Sequence, residues 1–454
     1  MGNSAVVDVA GKVDVTGKVP AKSKFGYAFS GISFCFCQLI PTFLIYFATE
    51  NLLLSVGAVS LMMMLVKVLD GVSDIVAGLI IDKTNTSKGK ARPWMLRAAI
   101  PYAICMILMF SVPTTLGPTA KMLMLAVFYA LTVSVFGTLI GVARLALISR
   151  MTDNKKERGI LGVLGDGVAC VCIGVGMAVA LQIVAAVGWT MTFVLFAAIA
   201  AISAIICYAL TRERTDELSE ALDEEKKEQA TTIKVFFKTL FTNKYALLLL
   251  IYILLQQMAG GSITAGGTYY FQHVYGDING FSQMMTITVV CAVVALIVCP
   301  FLVKKLGTKK MFSLGCILSV ICYLAMIFAG RQNLVMLLIC LPLSQVFGQM
   351  FLMTQAGPMA AAVSDYSFKK TGVHAEGVIS SVVNIGIKIG TAIATGLLGM
   401  IMSIGGYAEG AAVQSARAVN SIYVAYMIVP LILFAVLAVL YITTYKLETP
   451  AEQA

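Results

Sequence analysis

Twelve apolar stretches, each about as long as the roughly twenty residues a helix needs to cross a bilayer core, recur along the whole chain, and no soluble fold has room for them. They fall near 25–49, 57–81, 94–113, 121–149, 159–187, 190–211, 245–272, 282–303, 310–330, 333–363, 376–406 and 417–445. Only 12% of the 454 residues are charged, about half the share in soluble domains. A backbone in hydrocarbon must satisfy its own polar groups, so runs of this length are helices. The expected class is an all-α membrane protein. Two six-helix bundles follow from the one long polar interruption, residues 212–244, which contains RERTDELSEALDEEKKEQATT. The expected organisation is a tail (1–24), an N-terminal bundle (25–211), a linker (212–244), a C-terminal bundle (245–446) and a second tail (447–454).

The formal charge of +10 is placed for a membrane rather than for nucleic acid. Lys83, Lys88, Lys90 and Arg92 follow the second span, and Arg150, Lys155, Lys156 and Arg158 the fourth. Lys304, Lys305, Lys309 and Lys310 follow the eighth, and Lys369 and Lys370 the tenth. Short basic loops mark the cytoplasmic side, so both termini are expected there, in a multi-pass protein of a bacterial inner membrane. The first two dozen residues are polar and lack the short apolar core of a signal peptide. Eleven cysteines lie scattered in the apolar runs with no metal spacing, as packing residues do. Two isolated histidines, His273 and His374, offer no catalytic constellation, so no enzyme activity and no cofactor are expected. A polytopic membrane enzyme stays a remote alternative.

One span breaks the apolar rule. In KVLDGVSD, Lys67, Asp70 and Asp74 sit three and four residues apart and share one helix face. Each charge costs about 2.5–3.5 kcal/mol at a helix centre on insertion scales, so the stripe faces a wet cavity or partner helices. A buried ion pair accounts for two of the three groups. The second carboxylate one turn away repels the first, which makes the pair attractive to a small cation. Ser73 and Thr138 add the neutral oxygens that suit a hard ion. Three more ionisable groups lie within spans: Arg144, Asp166 and Lys388. The six balance in sign, either as a salt-bridge network or as a substrate and coupling site. Lys388 and Asn384, one turn apart in a small-residue helix, are candidate substrate contacts, as are Ser33, Arg144, Gln38 and Gln349. Gln256 and Gln345 are further polar candidates. Phe34, Tyr129, Phe136 and Tyr269 are the aromatic residues placed to stack on a sugar ring. Lys67, Asp166, Arg150, Asp82 and Arg92 are the candidates for a gating charge network.

LDGVSDIVAGLIIDKTNTSKGKARPW, ALISRMTDNKKER, YYFQHVYG and SDYSFKKTGVHAEGVISS together resemble the glycoside–pentoside–hexuronide:cation symporters, the melibiose-permease family. The resemblance implies a major-facilitator fold and symport of a sugar or glycoside with sodium or a proton, lithium being a third option. It implies no protein partner beyond lipid, substrate and cation. Asp70 and Asp74 match the family's paired cation-site aspartates, Lys67 a basic residue before them, Thr138 a hydroxyl ligand and Lys388 a lysine at the sugar site. Asn384 stands for a nearby threonine, and Ser73 for an asparagine. The chain departs from the family at Ser33, at Gly141 (an aspartate in the melibiose permease), at Ala143–Arg144 (a proline–tyrosine pair), at Arg150 (a glutamate) and at Gly165 or Asp166 (an arginine). The cation half of the site is kept and the sugar half is altered, so an anionic sugar derivative or another small polar solute is the alternative substrate.

Overall fold

The computed structural model describes residues 6–7, 13–14, 18–152, 154–213, 243–371 and 376–446. Apart from a two-residue antiparallel ladder, β1 (Val6–Val7) on β2 (Val13–Asp14), it is helical. The helices are α1 (Ala21–Glu50), α2 (Val56–Lys83), α3 (Arg92–Met109), α4 (Pro118–Tyr129), α5 (Thr138–Met151), α6 (Lys155–Leu210), α7 (Lys244–Tyr269), α8 (Asn279–Leu306), α9 (Thr308–Ala329), α10 (Leu334–Gln345), α11 (Phe351–Thr371), α12 (Glu376–Ile404), α13 (Ala416–Tyr423) and α14 (Val429–Thr444). Among the described residues nine helical segments are long and apolar enough to cross a membrane. Most of the linker expected at 212–244 lies outside the described residues.

Local chemistry sets where the helices begin. Asn154, Asn243 and Asn333 each turn a side-chain oxygen onto the first free backbone N–H groups of α6, α7 and α10, and Ser415 does so for α13, as N-caps do. The 56-residue α6 is two spans in line, broken at Gly188, whose φ of 81° only glycine adopts freely. Trp189 follows the break and stacks with Phe110 and Phe193. Four π-helical segments interrupt the α pattern, at Ala130–Gly137, Tyr270–Tyr275, Val346–Met350 and Val424–Ile428. Each joins two α-helices or ends one.

The helices gather into two compact units. One is drawn from the described residues of Met1–Pro41, Leu69–Gly176 and Ile183–Gln229, the other from those of Thr42–Val68, Met177–Gln182 and Ala230–Ala454. Large apolar side chains such as Val163, Phe301 and Phe328 stand exposed, a surface that suits lipid and not water. Inside, the second unit packs an aromatic column in which Phe312 stacks on Tyr441 and Tyr441 on Tyr445. The cysteines are free, and most are buried.

Candidate cation and substrate site

The structure brings Asp70 and Thr138 together in the first unit. Asp70 on α2 is buried at 7% exposure, and the Thr138 hydroxyl donates to its Oδ1 at 2.6 Å. Thr138 sits where the π-helical Ala130–Gly137 returns to α geometry. The wider π turn sets its direction; such turns often mark functional sites. The same hydroxyl also lies 3.2 Å from the Val133 carbonyl. Gly137 makes the turn possible, because a Cβ there would lie 2.7 Å from the Thr132 carbonyl oxygen. Asp74, one turn along α2, is half-buried. The Ser73 hydroxyl donates back to the Asp70 carbonyl at 2.9 Å, which leaves its oxygen as an acceptor. Lys67 falls in the second unit.

A second polar cluster forms on α1, α5 and α6. Arg144 is buried at 3% exposure. Its Nη2 donates to Asp166 Oδ1, its Nε donates to Ser30 Oγ at 3.2 Å, and its guanidinium carbon lies 5.2 Å from the centre of the Phe34 ring, within cation–π range. The side chain of Asp166 is 71% exposed in the middle of a spanning helix, where a carboxylate tolerates only a wet cavity or the headgroup region. Phe34 is half-buried, and Gln38, one turn on, is exposed on the same face of α1. Gly165 lets the guanidinium through: a Cβ there would lie 2.7 Å from the Tyr27 ring and 2.9 Å from Arg144 Nη2. Gly165→Ala is therefore expected to displace Arg144 and lower the melting temperature of the purified carrier; an unchanged melting curve would show that the Arg144–Asp166 geometry does not depend on this glycine.

Other expected substrate contacts are placed differently. Ser33 is buried, with its hydroxyl shared between the Ala200 carbonyl and Ser203 Oγ, so it ties α1 to α6 and is turned away from the Phe34–Asp166 wall. Tyr129 and Tyr269 are fully buried and present no ring face to a ligand. In the second unit, Asn384 is exposed and Lys388 half-buried on α12. Glycines bring α12 close to α7: a Cβ at Gly386 would meet Ile253, and one at Gly390 would meet Gln257 and Leu254. Gln349 and Gln256 exchange side-chain to backbone bonds at 3.1 and 3.3 Å. Gln349 thus locks the π-helical Val346–Met350 to α7.

The expected gating charges resolve into local pairs. Arg150 Nη2 stands 3.7 Å from Asp82 Oδ1. Arg92 covers the Tyr208 ring at 4.3 Å and donates to the Tyr208 carbonyl. Glu213, which the sequence did not single out, accepts from the backbone N–H groups of Lys90 and Arg92. Glu157 binds Lys24 at 2.7 Å and the Val19 N–H at 3.1 Å. Ser30 and Tyr27, which hold Arg144 through its side chain and its carbonyl, were also missed. Ser30, Phe34 and Gln38 recur every fourth residue, and that spacing was the available signal. Among the described residues no group of three or more His, Cys, Asp and Glu forms a metal cluster.

A family model described as MFS/sugar transport protein matches residues 26–449. The chain is 27% identical to an isoprimeverose transporter of Lactiplantibacillus pentosus, over 95% of this chain and 90% of that one. It is 23% identical to a putative glycoside/cation symporter of Escherichia coli K12, over 95% and 93%. Among solved structures, a D-xylose–proton symporter superposes with a TM-score of 0.69 at 12% identity, over 95% of this chain and 98% of that one.

Proposed function

Because the chain belongs to the MFS/sugar transport protein family, a family of membrane transporters, we propose that it carries a sugar or glycoside across the membrane together with a monovalent cation, Na+ or H+. The contact between Thr138 and Asp70 carries this reading. It gathers a carboxylate and a neutral oxygen in a buried place, with Asp74 one turn away. A cation there neutralises charges that repel each other when both are ionised. It thereby changes which arrangement of the helices is favoured, which is the differential binding that coupling requires. The alternating-access cycle, the cytoplasmic termini and the inner-membrane location follow from the same reading.

The substrate side rests on Arg144, Asp166, Phe34 and Gln38 in the first unit and on Lys388 and Asn384 in the second. Asp166 neutralises Arg144 and still exposes its carboxylate. A neutral ligand rich in hydroxyl donors suits that arrangement better than an anion, with the half-buried Phe34 ring as an apolar face for the sugar. An anionic sugar derivative is the second reading, and the cation on Lys388 favours it. Uptake of labelled neutral and acidic glycosides into membrane vesicles, with sodium and pH gradients imposed separately, tests both. Accumulation of a neutral glycoside under one gradient is the expected result, and no accumulation of any glycoside under either gradient sinks the reading.

Lys388→Ala is expected to raise the half-saturation concentration about tenfold while leaving expression unchanged, the size of effect expected for one hydrogen bond from a charged group. Unchanged half-saturation removes Lys388 from the substrate site.

A further inference from the structure

The far ends of α1 and α2, within residues 42–68, pack in the second unit, whereas the rest of both helices belongs to the first. Two kinds of contact hold those ends. One is polar. Glu50, the last residue of α1, accepts from the Tyr407 hydroxyl, and the same hydroxyl stands 3.1 Å from His273 Nε2. Tyr46 donates to Gln272 Oε1, Thr49 Oγ1 lies 2.7 Å from the Tyr269 hydroxyl, and the Val56 N–H donates to Glu409 at 2.9 Å. Burial, and then the neighbouring Tyr269, push the Tyr407 phenol well above its ordinary range, so its O–H remains a donor at any physiological pH.

The other contact is a tight seam of small residues between α2 and α12. A Cβ on Gly399 would lie 1.8 Å from Ser60 Oγ, and one on Gly396 would lie 2.7 Å from Met64 Sδ. A Cβ on Gly57 would lie 3.2 Å from the Ser403 Cβ. Small residues at such a seam allow close backbone approach without locking it by apolar bulk.

Each hydroxyl at the seam also has a partner on its own helix. Thr49 Oγ1 reaches the Ile45 and Tyr46 carbonyls at 3.1 and 3.2 Å, and Ser60 Oγ the Val56 and Gly57 carbonyls at 2.8 and 3.1 Å. Parting the seam therefore strands neither hydroxyl, which removes the usual penalty of an unsatisfied buried group. We propose that this seam is a gate: the α1–α2 ends and the α7–α12 ends form a latch that closes one side of the membrane and parts once in each transport cycle. This rests on the transport reading.

Paired substitutions Gly57→Cys and Ser403→Cys test it, since the two Cβ positions lie near the separation of about 3.8 Å typical of a disulfide. Oxidation is expected to cut glycoside uptake at least about tenfold, the equivalent of about 1.4 kcal/mol; reductant restores it, and the single variants do not respond. A cross-linked carrier that transports at the reduced rate overturns the gate. A second readout needs no substrate. In a Ser60→Cys background, Tyr407→Phe is expected to speed reaction with a membrane-impermeant maleimide about two- to tenfold, as the loss of one hydrogen bond allows. Equal labelling rates overturn the latch. A reduced carrier that accumulates none of the tested glycosides indicts the transport reading instead, and the maleimide rates then decide the latch alone.

Discussion

Asp70→Asn is expected to abolish uphill accumulation, with the ratio of internal to external glycoside falling by at least about 100-fold, or about 2.7 kcal/mol of lost coupling. The substitution is nearly isosteric and keeps an oxygen to accept the Thr138 hydroxyl. What it removes is the charge on which a cation depends. Exchange of labelled for unlabelled glycoside at equal concentrations draws on no gradient, so it is expected to survive. Measuring accumulation and exchange in the same vesicles separates loss of coupling from loss of folding. Wild-type accumulation in Asp70→Asn would remove this aspartate from the cation site.

The second large effect concerns Arg144 and Asp166. Asp166→Ala leaves the guanidinium of Arg144, 3% exposed, with only the Ser30 hydroxyl and the Phe34 ring beside it. Breaking a buried pair by removing one partner costs about 3–5 kcal/mol; the 71% exposure of the Asp166 side chain places this pair at the lower end. The yield of monodisperse carrier and its melting temperature in detergent should both fall. The double variant Arg144→Met with Asp166→Ala removes both charges and is expected to recover stability but not transport. If Asp166→Ala alone melts like the parent, the pair does not stabilise the fold, and Asp166 is free to serve substrate only.

Much of the architecture was legible because the signals were long. Hydrophobic runs of twenty residues survive a few residues of boundary error, and α2 (Val56–Lys83) lies close to the expected 57–81. The Gly188 break falls in the gap expected between 187 and 190. The proximity of Thr138 to Asp70 came from resemblance, because nothing in the spacing of one helix tells which residue of another faces it. Ser33 shows the limit of matching residue for residue. A small hydroxyl can serve a ligand or tie two helices together, and its neighbours Ala200 and Ser203, 167 and 170 residues away, decide which. The aromatic residues followed the same logic: Tyr129 and Tyr269 are core, whereas Phe34 is aimed by Arg144. Neither the π turns nor the Glu50–Tyr407 cluster announces itself in periodicity, since one adds a residue to a turn and the other joins helix ends.

The π segment before Thr138 has an arithmetic consequence. A π turn holds one residue more than an α turn can seat, so its residue count fixes the rotation of everything that follows. A chain one residue shorter between Ala130 and Gly137 would wind as continuous α-helix, and all of α5 would turn by about 100° relative to α4. Thr138 would leave the Asp70 carboxylate, and Arg144 would leave Asp166, in the same step. Through this stretch, single-residue length changes are expected to be less tolerable than most substitutions, because one missing residue dismantles the cation and the substrate contacts together.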